Sequence, residues 1–323
     1  MELSIIFVNW NSFDQLRESL RTVFATLVAI EYEVIVVDNA SSAGDAARVQ
    51  AEFCGVKLIA STKNLGFAGA NNLGVEHARG KYLLFLNPDT LVLGNAIAGM
   101  LEAMKAVGGA GIVGCKLLNS DGSVQTSCVQ RFPTIWNQLL DMEYLRRRWP
   151  NWKFWGIAPL FNSCPQPVEV EVVSGACLLI DRDSFEQAGG FSREYFMYAE
   201  DVDLCYQVRK LGRKAYYIGS ASVLHHGGGA SREGRGKAWV AIMQRQAILR
   251  FYRRTRGAAY AGTFRLAMAC NAMVRLVLLA IMLPFGKLAA DKGVLYSTPE
   301  KWFGVLKWAL GLDRRILRLR QGA

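Results

Sequence analysis

A chain of 323 residues, 51% apolar and 20% charged, is long enough to bury a sizeable core, which excludes a disordered protein. Its seven cysteines are odd in number, scattered and without a CxxC pair, which argues against a disulfide framework or zinc site and fits a reducing cytosol. The net charge of +11 is lopsided: residues 232–323 carry 18 Lys/Arg against 4 Asp/Glu, and residues 1–231 carry 20 against 23, so the last third has a separate task.

Residues 1–115 alternate strand and helix signals. Leu3–Val8 and Glu33–Val37 are short β-branched runs of the kind buried in a parallel sheet. Leu3–Val8 starts the chain without a basic region and cleavage site, so no signal peptide is read. Between the two runs, Leu16, Leu20, Val23, Phe24 and Leu27 recur at helical spacing behind Asn11-Ser12, a plausible N-cap. Val56–Ile59 and Tyr82–Leu86 are expected as further strands, with a helical stretch opening at Gly66 and closing at Gly80. This rhythm predicts a doubly wound α/β domain with ligands beyond the carboxyl ends of its strands. Asp38 and Asn87-Pro88-Asp89 stand immediately after two of those strands.

From Lys116 the pattern changes. Asn119-Ser120-Asp121-Gly122 is a hairpin turn signal, and Val168–Val172 alternates with Glu169 and Glu171 as one half-exposed strand. A short helix is expected over Arg182–Gln187, a longer one over Glu200–Leu211, and separate strands over Lys214–Ile218 and Ser222–His225. Trp136–Phe161 is rich in Trp and Arg without a clear period.

The last third is helical in pattern. Residues 258–285 are strongly apolar, but Arg265, Asn271 and Arg275 gather on about a third of the circumference, so an amphipathic helix is expected. The longest uncharged apolar run, Leu276–Gly286, is shorter than the roughly 20 residues a bilayer needs. Thr298 and Pro299 open a second helix on which Trp302, Phe303 and Leu306 are expected to share a face, with Lys301, Lys307, Arg314, Arg315, Arg318 and Arg320 adding cations. Tryptophan-bearing basic helices suit a membrane interface. The alternatives are a helical cap on the catalytic domain or a homodimer interface. No nucleic-acid reading module is recognisable.

Several residue types carry chemistry. Asp38, in Val-Val-Asp-Asn-Ala-Ser, suits hydrogen bonding to a nucleobase or ribose, or N-capping of the next helix. The glycines of Lys63-Asn64-Leu65-Gly66-Phe67-Ala68-Gly69-Ala70-Asn71 let backbone amides approach a phosphate or base, or let elements pack closely. Asp89 can hold a divalent cation that bridges a diphosphate, and Asn-Pro-Asp is also turn chemistry. Glu200-Asp201-Val202-Asp203 opens a helix, where acidic residues oppose the dipole. A reaction in which a hydroxyl attacks also needs a carboxylate base, a role open to Asp201. His225-His226 before a glycine-rich loop ending at Ser231 could add a metal ligand.

In their order these segments resemble the family 2 glycosyltransferases, in particular the bacterial rhamnosyltransferase-like branch. The likeness runs from Leu3 to Ser231 and rests on five segments: Val8-Asn9-Trp10-Asn11; Val37-Asp38-Asn39-Ala40-Ser41; Asn64 to Asn71; Leu86-Asn87-Pro88-Asp89; and Gly190-Phe191 with Glu200-Asp201-Val202-Asp203-Leu204. The resemblance implies a GT-A fold, a divalent cation (Mg2+ or Mn2+) and inverting transfer from a nucleoside-diphosphate sugar. Asn9, Asp38, Asn64, Gly66, Gly69, Asn71 and Asn87 would bind the donor nucleotide, Asp89 and His225 the metal, and Asp201 with Glu200 would be catalytic. Lys63, His226 and Ser231 are secondary candidates. Asn87 stands where the family commonly has the first Asp of Asp-x-Asp, as is usual in this branch. The implied donor is dTDP-L-rhamnose, with UDP-galactofuranose or another UDP-sugar as the alternative. The implied acceptor is a polyprenyl-diphosphate-linked saccharide of the cell envelope, reached by a peripheral enzyme on the inner face of the cytoplasmic membrane. A non-catalytic nucleotide-sugar-binding subunit is the competing class, and a homo-oligomer stays open. The expected division is a catalytic domain over 1–231, split at 115/116 into donor and acceptor halves, and a basic helical region over 232–323.

Overall fold

Strand β1 (Leu3–Asn9) is buried almost throughout because both faces of the sheet around it are covered, which is why its interior is apolar apart from Ser4. It pairs in parallel with β2 (Tyr32–Asp38) and β4 (Tyr82–Leu86), and β2 pairs in parallel with β3 (Val56–Ala60). The computed structural model describes residues 1–27, 30–140, 148, 149, 152, 166–227, 237–282 and 299–313. They divide into two compact units, the first made of 1–132 and 157–230, the second of 133–156 and 231–323. The described residues among 133–156 group with the helical unit, within the range 116–231 expected as the acceptor half.

In the first unit, β5 (Thr90–Leu93), β6 (Ala110–Leu118), β8 (Val168–Val170), β10 (Cys177–Asp181) and β11 (Lys214–His225) complete a nine-stranded mixed sheet, in the order β3-β2-β1-β4-β10-β6-β11-β5 with β8 on β11. β7 (Val129–Gln130) and β9 (Val172–Val173) form a separate antiparallel pair. The single strand expected over Val168–Val172 is thus two strands in two sheets. The two strands expected over 214–225 are one, with an irregular register between Ile218 and Ser222 that lets it follow β6.

The helices are α1 (Phe13–Thr26), α2 (Asp45–Glu52), α3 (Gly66–Glu76), α4 (Ala96–Ala106), α5 (Ile135–Leu139), α6 (Arg182–Gln187), α7 (Glu200–Lys210), α8 (Lys237–Met282) and α9 (Pro299–Ala309). α3 stops four residues before Gly80. Its Gly74 faces β1 so closely that a Cβ would lie 2.6 Å from Ile6 Cγ2. Residues alternate across the sheet: Leu3, Ile5, Phe7, Tyr82, Leu84 and Leu86 join one core, while Phe85 packs edge-on against Phe191 at 4.7 Å on the other side.

In the second unit, α8 runs 46 residues with a break at Gly257 (φ 86°) and packs against α9. Its polar stripe is turned inward. Arg265 donates to the Trp308 and Ala309 carbonyls (2.9 and 3.1 Å), ending α9, and Arg275 and Asn271 reach the Leu139 carbonyl that ends α5. The outward face is apolar: Leu266, Cys270, Met273, Val274, Val277, Leu278 and Ile281 recur at helical spacing and are all exposed, Leu266 by 67% and Ile281 by 58%. By length and apolarity, a stretch of α8 would suffice to cross a membrane. Trp302 and Phe303 do not share a face, since Trp302 is buried beneath Arg275 (4.5 Å) and Phe303 is exposed. Thr298 and Arg314–Arg320 lie outside the described residues, as does most of Trp136–Phe161. All six described cysteines are free thiols.

Candidate active site

The site is built where β1, β2 and β4 end. Asn9, the last residue of β1, is fully buried, and its amide donates to Asp38 Oδ1 (3.1 Å), Ser41 Oγ (3.2 Å) and Asp45 Oδ2 (2.8 Å). The backbone N–H of Ser41 donates to Asp38 Oδ2 (3.2 Å), closing a turn after β2. The N-cap of helix α2 is Gly44, not Asp38. Asn11 accepts from the Ser42 N–H at 2.8 Å and fastens the first loop to the second.

Asn39 carries the frame onward, a residue that sequence reasoning missed. Its Oδ1 accepts from the Leu65 N–H (2.8 Å), and its Nδ2 donates to Asn64 Oδ1 (3.0 Å) and the Gly66 carbonyl (3.3 Å). The only cue in the sequence was its place next to Asp38. Gly66 has φ +71°, and a Cβ there would lie 2.4 Å from the Phe196 carbonyl oxygen. The same carbonyl accepts from the Phe67 N–H at 2.9 Å. Gly69 packs against Leu65, and the buried Asn71 side chain donates to Phe67 O within its own helix. Lys63 is exposed, its carbonyl accepting from Ser61 Oγ.

Beyond Phe196 the backbone turns left-handed at two successive non-glycine residues, Tyr198 (φ 72°) and Ala199 (φ 62°), directly before α7. Among the described residues the other two non-glycine positions with positive φ are Asn11 and Ala40, so all four lie in loops that carry this site. Asp201, half-buried at the start of α7, accepts the Gly175 N–H at Oδ2 (2.9 Å) and the Val202 N–H at Oδ1 (2.8 Å). Burial raises its carboxyl above the ordinary value, and those backbone donors partly offset it. Glu200 is buried, and its Oε2 has no hydrogen-bond partner among the described residues. Burial first, then the charge of Asp201, pushes the Glu200 carboxyl up to about 8. At neutral pH Glu200 therefore holds a proton. Asp203 is buried and accepts from Gln207 Nε2 (3.2 Å), a helix-internal bond.

The Gly175 segment links this carboxylate to the end of β4, since the Asn87 N–H donates to the Ala176 carbonyl at 3.0 Å. β11 runs antiparallel to β5 with His225 opposite Thr90, which brings His225 Nε2 to 3.3 Å from Asp89 Oδ1 and 3.3 Å from Asn87 Nδ2. His226 points elsewhere, its Nδ1 2.8 Å from Ser120 Oγ. Among the described residues no three His, Cys, Asp or Glu side chains form a group that could hold a metal. One carboxylate beside one imidazole nitrogen nevertheless fits a hard divalent cation that takes its remaining oxygens from a diphosphate and water. Ser231 lies outside the described residues.

The glycosyl transferase family 2 model matches residues 4–188. A sequence similar to this one is the N-acetylglucosaminyl-diphospho-decaprenol L-rhamnosyltransferase of Mycobacterium tuberculosis, 31% identical over 204 residues, which are 60% of this chain and 66% of that protein, just under two thirds of its length. Rhamnosyltransferase WbbL of Escherichia coli is 24% identical over 60% of this chain and 73% of its own. Among solved structures, the mannosyltransferase PcManGT of Pyrobaculum calidifontis in complex with GDP-Man and Mn2+ aligns over 96% of this chain and 86% of that one, at 17% identity and a TM-score of 0.55. The shared architecture is the GT-A fold.

Proposed function

This chain belongs to glycosyl transferase family 2, and we propose that it transfers L-rhamnose, with inversion, from dTDP-L-rhamnose to a lipid-linked saccharide in cell-envelope polysaccharide synthesis. It is a glycosyltransferase. The donor and acceptor are inferred from the names of the Mycobacterium and Escherichia relatives. The observation that carries the chemistry is one hydrogen-bonded frame holding the Asp201 carboxyl group and the Asp89–His225 pair.

Asp38, Asn9, Asn39 and Asn64 shape the pocket floor for the nucleoside. The Asp201 carboxylate takes the proton from the acceptor hydroxyl as that oxygen bonds to the anomeric carbon. The carbon–oxygen bond to the diphosphate breaks on the opposite face, and the nucleoside diphosphate leaves with the electron pair. Asp89 and His225 would hold Mg2+ or Mn2+, which when bound supplies positive charge to the leaving diphosphate. A carboxyl with a raised pKa suits the base role, because it holds the proton it takes more firmly. The neutral Glu200 beside it spares Asp201 a second negative charge.

The exposed apolar strip of α8 and the basic excess of residues 232–323 support a peripheral place on an anionic membrane, where a polyprenyl acceptor resides.

Thermal stabilisation of the full chain by Mn2+ with dTDP-L-rhamnose, UDP-galactofuranose or GDP-mannose tests the donor, and a greater shift with either of the last two overturns rhamnose. The Asp201→Asn variant is expected to keep that stabilisation and lose roughly 10²- to 10⁴-fold in turnover. Unchanged turnover removes Asp201 as the base.

A further inference from the structure

Gln125 holds His225 at both ends. Its Nε2 donates to the His225 carbonyl (2.6 Å), and its Oε1 stands 2.9 Å from His225 Nδ1. A carbonyl only accepts, so the first bond fixes which end of the amide is nitrogen and leaves the oxygen facing the ring. An amide oxygen also only accepts, so Nδ1 must carry the hydrogen. In the neutral imidazole Nε2 is then a bare lone pair. Around Nε2, Asn87 Nδ2 is a donor at 3.3 Å that suits this lone pair, whereas Asp89 Oδ1, also at 3.3 Å, is a second acceptor that the lone pair can face only across a cation or a proton. Gln125 is itself anchored, its N–H donating to the Leu117 carbonyl on β6 (2.8 Å). The hairpin it closes is tied by the Gly122 N–H to Asn119 O (2.9 Å), and Ser120 Oγ of that turn meets His226.

We propose that Gln125 is a positioning residue that locks His225 in the Nδ1–H tautomer and aims its Nε2 lone pair, together with Asp89, at one cation-binding point. The proposal rests on the metal role of His225 and Asp89 given above. A tie serving only the end of β11 would need the bond to the carbonyl and not the one to the ring. Oriented imidazoles whose second nitrogen donates to a carbonyl oxygen are the ones that bind metals well.

The chain has three histidines, so 15N-histidine labelling reads each imidazole separately. In the wild-type chain at pH 8, His225 is expected as Nδ1–H with Nε2 unprotonated. A wild-type His225 in the Nε2–H form overturns the proposal, whether or not any variant folds. Gln125→Leu is expected to shift His225 toward Nε2–H and to weaken binding of Mn2+ alone, titrated by electron paramagnetic resonance, roughly 10- to 100-fold. Gln125→Glu keeps an acceptor at Nδ1 and should retain both the tautomer and the Mn2+ affinity. An unchanged tautomer in Gln125→Leu refutes the role. Asp89→Asn and His225→Ala separate the two claims. If neither lowers Mn2+ affinity, the metal assignment fails on its own, while the tautomer spectra still decide whether Gln125 orients the ring.

Discussion

Glu200→Gln replaces a buried, proton-holding carboxyl by a neutral side chain of the same shape. In the native chain burial and the Asp201 charge hold the Glu200 pKa at about 8, against 4.5 for the free side chain. Between those values the folded state binds a proton that the unfolded state has released, so stability falls as pH rises, and the loss is complete above about 8. At about 1.4 kcal/mol per pKa unit the full span corresponds to roughly 5 kcal/mol. Glutamine does not titrate, so the variant lacks this loss. Urea unfolding followed by circular dichroism at pH 5, 6, 7, 8 and 9 should give curves that lie close at pH 5 and separate progressively, the variant being the more stable at pH 9. Because the Asp201 charge contributes to the shift, the separation should shrink in an Asp201→Asn background. Parallel pH dependences for wild type and Glu200→Gln would refute the assignment of a proton to Glu200.

Gly66→Ala forces a Cβ onto the Phe196 carbonyl at a backbone angle unfavourable to L side chains; a loss of about 1–3 kcal/mol in thermal unfolding is expected, with weakened nucleotide binding. Asn39→Ala removes three hydrogen bonds between the β2 loop and the start of α3 and should cost about 1–3 kcal/mol and lower dTDP affinity, measured by calorimetry. Replacing Leu266, Val277 and Ile281 together by Glu should abolish salt-sensitive flotation with phosphatidylglycerol vesicles while leaving the fold intact by circular dichroism. Flotation equal to wild type would remove the α8 strip as the membrane-facing surface.

Much of the donor half was legible along the chain. A parallel strand covered on both faces is apolar at nearly every position, so β1, β2 and β4 announce themselves despite Ser4 and Glu33, and the polar residues at or just after their ends, Asn9, Asp38 and Asn87, stand out by contrast. α6 and α7 were legible from acidic starts and a glycine stop. Antiparallel β10 between β4 and β6 was not, since local pattern carries no information on which strand a distant segment joins. The same holds for β8 and β9, which share one alternating run and enter different sheets.

Sequence alone determined which chemistries were available: carboxylates at strand ends and at a helix start, two adjacent histidines, and a basic apolar tail. Only the tertiary structure decided how they are used. Adjacent strand residues point to opposite faces, so the pairing of His225 with Thr90 sends that ring to Asp89 and its neighbour to Ser120. Gln125 and Asn39 matter through bonds to residues far along the chain or in another loop, which no local spacing encodes. Arg265, Asn271 and Arg275 looked like the wet face of α8. The carbonyls left unpaired where α5 and α9 end draw them inward, and the apolar strip is what faces out.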